Sequence, residues 1–403
     1  MKKALCFGVL CFSSLFAQSD MEAVKKQLAQ QQETIKQLQS EVKILKESSN
    51  ATNNSASFSQ NAYLPDIALI LNMSALNRDV SNSDYEKFAI PGFINSGDGH
   101  LPFNKNRGFN LNYAEVAMHS VVDPYFEAFA NFHLHPDEFE IGEAYVQTTS
   151  LPYSLKVKAG KFKSSFGRIN KKHQHSWHFD SQPIIYKALF GPDGISDPGI
   201  QLQWIAPTDT YLMFGAEAMQ GTNKRSFGDT DSNNLYVGYI KSSIDATDDL
   251  SILGGVSMAH GKNTTKNTTD VYGVDLTLRE QLGSYSSLIW QSEYLYRNKD
   301  TGSNTDKQAG FYSEIVYQYD NNYQTGFRYD RITKNTTDLS AYPDADNLER
   351  YTVMAEYKPF PMSRLRLSYS YDKTKVIDGQ RRNINEVMLS LNIAAGAHGA
   401  HDY

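Results

Sequence analysis

From Tyr63 to Ile393 the chain alternates between apolar and polar positions with a period of two. Leu365, Leu367, Tyr369 and Tyr371 alternate with Arg364, Arg366, Ser368, Ser370 and Asp372; Tyr351, Val353, Ala355 and Tyr357 alternate with Thr352, Met354, Glu356 and Lys358. Val387, Leu389, Leu391 and Ile393 do the same with Met388, Ser390 and Asn392. Period two is the mark of strands with two unlike faces. About sixteen such segments can be placed, near 65–76, 109–121, 125–135, 138–148, 155–162, 198–206, 211–219, 233–243, 250–260, 270–280, 285–297, 309–319, 323–332, 347–357, 364–373 and 382–393. Charges on the inner face of so many strands cannot sit unpaired in a dry core, whereas a water-filled lumen accommodates them and leaves the aromatic face to lipid. The prediction is an all-β transmembrane antiparallel barrel of about sixteen strands over residues 63–393.

The connections support that reading. Short ones (122–124, 206–209, 320–322, 358–361) alternate with long ones (77–108, 163–197, 220–232, 333–346). A soluble sandwich has no reason to keep such parity, whereas an outer-membrane barrel carries short periplasmic turns and longer outer loops. With the amino terminus in the periplasm, residues 163–197 form the third outer loop.

Ahead of the barrel the period changes. Lys2 and Lys3, the apolar run Ala4 to Phe16 and the small residue Ala17 read as a signal peptide over 1–17. An alternative anchors a lipoprotein at Cys11, but no small residue stands next to that cysteine. Over 20–47, Met21, Val24, Leu28, Gln31, Ile35, Leu38, Val42 and Leu45 form a heptad seam, predicting an α-helical coiled coil in the periplasm. A surface helix lying on the main domain is the plainer alternative. A homo-oligomer is expected, with a trimer favoured, although the mixed core residues do not by themselves choose between two and three strands. The Ser/Asn-rich stretch 48–62 reads as a flexible linker, and 394–403 as a disordered tail whose His398 and His401 add weak metal affinity.

Composition sharpens the picture. The 403 residues include 25 Tyr and 21 Phe at a mean hydropathy of -0.50, which suits strands with one greasy and one wet face. Both cysteines, Cys6 and Cys11, leave with the signal peptide, so a disulfide scaffold is excluded. With 45 acidic against 39 basic residues the chain is no nucleic-acid binder. Its expected partners are outer-membrane lipid, lipopolysaccharide and small hydrophilic solutes.

Two sets of residues could carry chemistry. His133 and His135 are two apart on one strand and share an inward face with Glu127; His173, His175 and His178 lie in the third loop, and His100 in the first. Neutral imidazoles with a carboxylate suit zinc, copper or nickel, so transient binding of zinc or another divalent metal near the mouth is the candidate chemistry, against a plain set of wet polar residues. No cofactor is required. The second set is cationic: Lys156, Lys158, Lys161, Lys163, Arg168, Lys171 and Lys172 lead into and occupy the third loop, where they would attract anions or bind lipopolysaccharide phosphates. No phosphate-binding glycine loop is present and no nucleophile is marked by its spacing, so an enzyme is not expected. The Asn-Thr-Thr triplets at 263–265, 267–269 and 335–337 read as solvated turns.

The segment GKFKSSFGRINKKHQHSWHFDSQPIIYKALFGPDGISDPGIQLQWIAPTD, residues 160–209, resembles a family of bacterial outer-membrane barrels known as zinc-regulated outer-membrane receptors or porins. The resemblance rests on Gly160-Lys161-Phe162, Phe166-Gly167-Arg168-Ile169-Asn170, His173, His175, Trp177, Leu189-Phe190-Gly191 and Asp197-Pro198-Gly199, and VDPYFEAFANF and EIGEAYVQTTSLP extend it over roughly 109–219. His178 stands where that family carries an acidic residue, which adds a ligand and removes a carboxylate. GKFKSSFG is also similar to phosphate-selective porins, which share an amino-terminal coiled helix and a lysine-rich interior. The likeness implies a third loop that folds inward to narrow the barrel. The receptor label implies a plug domain, for which the helix and linker are too short.

These readings converge on a porin-like channel for passive diffusion of small hydrophilic solutes, including anions or divalent metal ions. The alternatives are a metal-binding uptake receptor and an envelope tether built on the coiled coil.

Overall fold

A computed structural model describes residues 65–96, 106–135, 139–340, 342 and 347–396. The expected signal peptide, coiled coil and linker, His100, and tail residues 397–403 lie outside the described residues. Sixteen strands follow: β1 (Asp66–Arg78), β2 (Gly108–Asp123), β3 (Phe126–Leu134), β4 (Phe139–Thr148), β5 (Leu155–Lys163), β6 (Ser196–Ile205), β7 (Tyr211–Met219), β8 (Leu235–Asp245), β9 (Leu250–Lys262), β10 (Thr268–Gln281), β11 (Ser287–Asp300), β12 (Thr305–Gln318), β13 (Tyr323–Asn335), β14 (Glu349–Tyr357), β15 (Ser363–Ile377) and β16 (Gln380–Gly396). Each pairs antiparallel with its neighbours in sequence, and β1 closes on β16 from Ala68↔Gly396 to Arg78↔Glu386. Closure leaves no strand edge unpaired, the condition for a sheet to stand in lipid.

The period-two pattern sets which side chain goes where. On β15, Leu365, Leu367 and Tyr369 are exposed on the outer wall while Arg366 and Ser368 are buried; on β14, Val353 and Tyr357 point out and Thr352, Met354 and Glu356 point in. Strands of nine or more residues exceed or match the roughly nine to eleven that cross a bilayer. At the end holding both strand termini, the turns present Tyr125, Tyr153, Tyr285, Tyr319 and Phe360 to the outside, a belt of amphipathic rings.

Parity of the two ends holds, but length does not follow it throughout. Outer connections 263–267, 301–304 and 378–379 are as short as the turns at the other end. Asn263, expected in a solvated turn, is instead buried and donates to Asp300 O at 2.6 Å, bracing two outer hairpins.

The larger difference is inside. The lumen is not an open water column: the first outer loop, with the short helix α1 (Asn82–Tyr85), and the third, with α2 (Ile184–Phe190), bring Phe88, Ile90, Phe166, Ile169, Ile185, Leu189 and Phe190 into a buried apolar cluster within the wall. On the inner faces of β13–β15, Arg328, Asp330, Arg350, Glu356 and Arg366 are therefore buried, and partner each other and the loop.

Candidate functional site

The third loop, residues 164–195, starts and ends as a strand pair would, with Ser164 N donating to Ile195 O at 2.9 Å. Asn170 locks this base by donating to both Ser164 O and Ile195 O. Beyond it the loop crosses the lumen and docks on three parts of the wall.

The first is β11. Glu293 accepts from the backbone of Arg168 (2.8 Å) and Ile169 (3.0 Å) and from the hydroxyls of Tyr186 (2.7 Å) and Tyr312 (2.5 Å). Gly167 makes the close approach feasible. Its φ is +60°, and a Cβ there would stand 2.4 Å from Glu293 Oε2 and 2.2 Å from the Tyr186 hydroxyl. Gly167→Ala is expected to weaken docking by about 1–3 kcal/mol, from left-handed strain plus overpacking; limited proteolysis should then cut within 168–190 faster than in the parent, and an unchanged rate would argue against this tight seat.

The second is the inner face of β13–β15. Asp330 accepts from Arg328 Nε (3.1 Å), from Arg350 Nε and Nη2 (3.2 and 3.1 Å) and from the backbone of Ile184 at the start of α2 (2.8 Å). The two arginines also donate to Ser181 O and Gln182 O. Arg366, 0% exposed, bridges Glu356 and Asp180 and reaches Trp177 O, while Ser390 donates to the same Asp180 oxygen. Charge-assisted bonds of this kind are what allow such groups to be desolvated.

The third is the face of β2–β4, where the histidines gather. Register puts Glu115 opposite His133 and His133 opposite Glu140, one row of titratable side chains along the inner wall. From the loop, His173 and His175 close on that row. His133 Nε2 lies 3.4 Å and His175 Nδ1 3.3 Å from Glu115 Oε2, and His173 Nε2 lies 2.6 Å from Glu143 Oε2. Asn131 Nδ2 sits 3.3 Å from Glu115 Oε1 and 3.2 Å from the His173 ring. Among the described residues two donor sets bring their ligand atoms within 4.8 Å of one another: Glu115, His133 and His173, and His133, His135 and Glu140.

So the fold brings together His133, His135, His173 and His175, and separates two other candidates. Glu127 stands at the opposite end of β3, bonded to Gln147 and to His119. Period two gave it the right face but not the right height. His178 pairs with Glu314 at 2.7 Å, on a different wall. Sequence reasoning misses Glu115, Asn131, Glu140 and Glu143: the tight turn at Pro124-Tyr125 alone would set Glu115 opposite Leu134, and it is the register shift between Val121 and Asp123 that brings it opposite His133.

The cations also divide. Lys156 and Lys158 share the parity of buried Phe162, and Lys158 Nζ lies 4.2 Å from the Tyr145 ring. Lys161 and Lys163 take the alternate positions, Lys161 donating to Glu140 and Ile141 O and Lys163 to Asp193 O. Arg168, Lys171 and Lys172 lie on the loop, joined by Lys241 of β8, which donates to Gly167 O at 2.6 Å. Burial first, then the neighbouring Arg168 guanidinium, pulls the Lys172 ammonium down to about 8.

No family model matches the sequence. An uncharacterized protein of Aquifex aeolicus (strain VF5) is 38% identical over 383 residues, covering 86% of this chain and 81% of that protein. Among solved structures the fold is similar to the outer membrane channel DcaP of Acinetobacter baumannii (TM-score 0.55, 13% identity, 84% of this chain and 99% of that one). It is equally similar to an anion-selective porin from Comamonas acidovorans (TM-score 0.55, 10% identity, 82% and 99%). These likenesses show a shared barrel architecture.

Proposed function

The chain belongs to the family of the Aquifex aeolicus protein and has the barrel fold of outer-membrane channels, and from these premises we propose that it is a porin-type channel of a bacterial outer membrane. It passes small hydrophilic solutes along a path bounded by residues 164–195, with anions favoured. The observation that carries this reading is the reversal of polarity around a closed wall, apolar side chains outward and charged ones inward, with the longest described loop folded inside.

The anion preference rests on Lys156, Lys158, Arg168, Lys171, Lys172 and Lys241, which are drawn from β5, β8 and the loop between β5 and β6. Cations concentrated at a narrow, low-dielectric passage attract anions and repel cations entering from bulk water. Membership of a fold that includes an anion-selective porin agrees with this.

The test is single-channel conductance and reversal potential of the refolded full chain in a planar bilayer under a potassium chloride gradient. Discrete channels with a reversal potential of the sign set by chloride are expected; no conductance would sink the channel reading, and a potential set by potassium would sink the anion preference. Lys172 supplies a finer check. With its pKa at about 8 it is charged at pH 7 and largely neutral at pH 9, so anion preference should fall as pH rises across that interval. Lys172→Gln should show the lower preference already at pH 7 and lose the step in this interval.

A further inference from the structure

We propose that Glu115, His133 and His173 form a binding site for a divalent transition-metal ion, placed where the third loop meets the barrel wall. This inference goes beyond permeation and does not depend on it.

The donor atoms of these three residues lie within 4.8 Å of one another. Ligands held about 2.1 Å from a tetrahedral ion stand about 3.4 Å apart, so the three side chains draw together on binding. The chemistry of the set is equally selective. Two imidazoles and one carboxylate suit zinc, cobalt, nickel or copper, and not the all-oxygen shells that calcium and magnesium require.

Glu115 adds a charge argument. It is 2% exposed, and its described partners are the His133 and His175 rings and the Asn131 amide, with no lysine or arginine in ion-pair contact. A buried carboxylate needs a compensating cation. Elsewhere in this lumen arginine fills that role, at Asp330 and Glu356; here only imidazoles approach, which either carry protons or share a metal.

The surrounding groups favour the metal. A ligating histidine commonly gives its second ring nitrogen to a carboxylate, which fixes the ring. Glu143 Oε2 stands 2.6 Å from His173 Nε2 in that role, and the Glu143 backbone in turn donates to Asn131 Oδ1 at 2.5 Å. Gly142 keeps the wall clear, since a Cβ there would lie 2.9 Å from His133 Cε1. The second donor set, His133 with His135 and Glu140, shares His133 but is more open to solvent, so the buried set that joins loop to wall is the one assigned. His175, stacked on His173 with ring centroids 5.7 Å apart, is placed to become a fourth ligand.

The test is a titration of the full chain, refolded in detergent micelles and stripped with chelator, with Co2+ followed by visible absorption and then displaced by Zn2+. The expected result is one tightly held Co2+ per chain with the intense bands of low coordination number. Affinity should fall at least tenfold in Glu115→Gln, His133→Ala and His173→Ala, each checked for barrel content by circular dichroism. It should be unchanged in His178→Ala, whose ring pairs with Glu314, and in a chain lacking both tail histidines, His398→Ala with His401→Ala. Glu115→Gln guards against misfolding, because it preserves volume and polarity while removing the charge. Equal binding by the parent and His173→Ala, loss of binding with the tail histidines alone, or no intense band would each overturn the proposal and leave proton-bearing imidazole–carboxylate pairs in its place.

Discussion

Replacing residues 167–192 with a short Gly-Ser bridge should raise single-channel conductance several-fold and remove most of the anion preference. The excision removes the bonds that Asn170 makes to the loop base, but Ser164 N to Ile195 O survives, and so does the β5–β6 register up to Lys163↔Ser196. The wall should therefore close as before. What disappears is the segment that fills the section, α2 with its buried Ile184, Ile185, Leu189 and Phe190, together with three of the six cations on which the anion preference rests, Arg168, Lys171 and Lys172. Conductance follows the width and the charge of the narrowest part of a pore. Planar-bilayer recording of the shortened chain measures both changes. Unaltered conductance would mean that the current is limited by some other part of the molecule.

Asp330→Ala should be the most damaging single substitution on the inner wall. Asp330 is 0% exposed and simultaneously neutralises Arg328 and Arg350 while capping the first turn of α2 through Ile184 N. Removing one partner of a buried ionic group leaves the others charged and desolvated, a cost of about 3–5 kcal/mol. Here two guanidinium groups are stranded by one change. The expected outcome is a lower midpoint of denaturant unfolding in micelles and faster cleavage within 181–190. Arg328→Met combined with Asp330→Ala and Arg350→Met should recover part of the loss, because the apolar replacements carry no unpaired charge. A midpoint unchanged in Asp330→Ala would show that water reaches these arginines.

Much of the barrel was legible because period two is a local signal. Each of sixteen segments declared itself through alternations such as Leu365-Arg366-Leu367, and the observed strands differ from those limits by a few residues. The filling of the lumen was not legible. Arg366 and Glu356 look the same in sequence whether they face water or Asp180, since the partner lies 186 residues away from Arg366. Likewise the sequence assembled His133 and His135 but could not raise Glu127 from the far end of β3 to their level, because height along a strand depends on register with its neighbours. Glu293, which seats the loop through three of the four hydrogen bonds it accepts, carried no local mark: it is one polar residue among many on an inner face.

The seam between β1 and β16 has a consequence for biogenesis. The cylinder closes around a segment tied to both of its halves, to Glu143 on β4 and to Arg366 on β15. A chain emerging from its amino terminus can settle His173 and His175 against β2–β4 while the sheet is still an open ribbon, but Arg168 and Ile169 have no seat until β11 exists, and Asp180 and Ile184 none until β13–β15 do. Insertion of the last strands and completion of the interior are thus one event. A mutation that delays the carboxy-terminal hairpin would leave a half-seated segment and exposed arginines as the assembly intermediate, the species that envelope proteases would meet first.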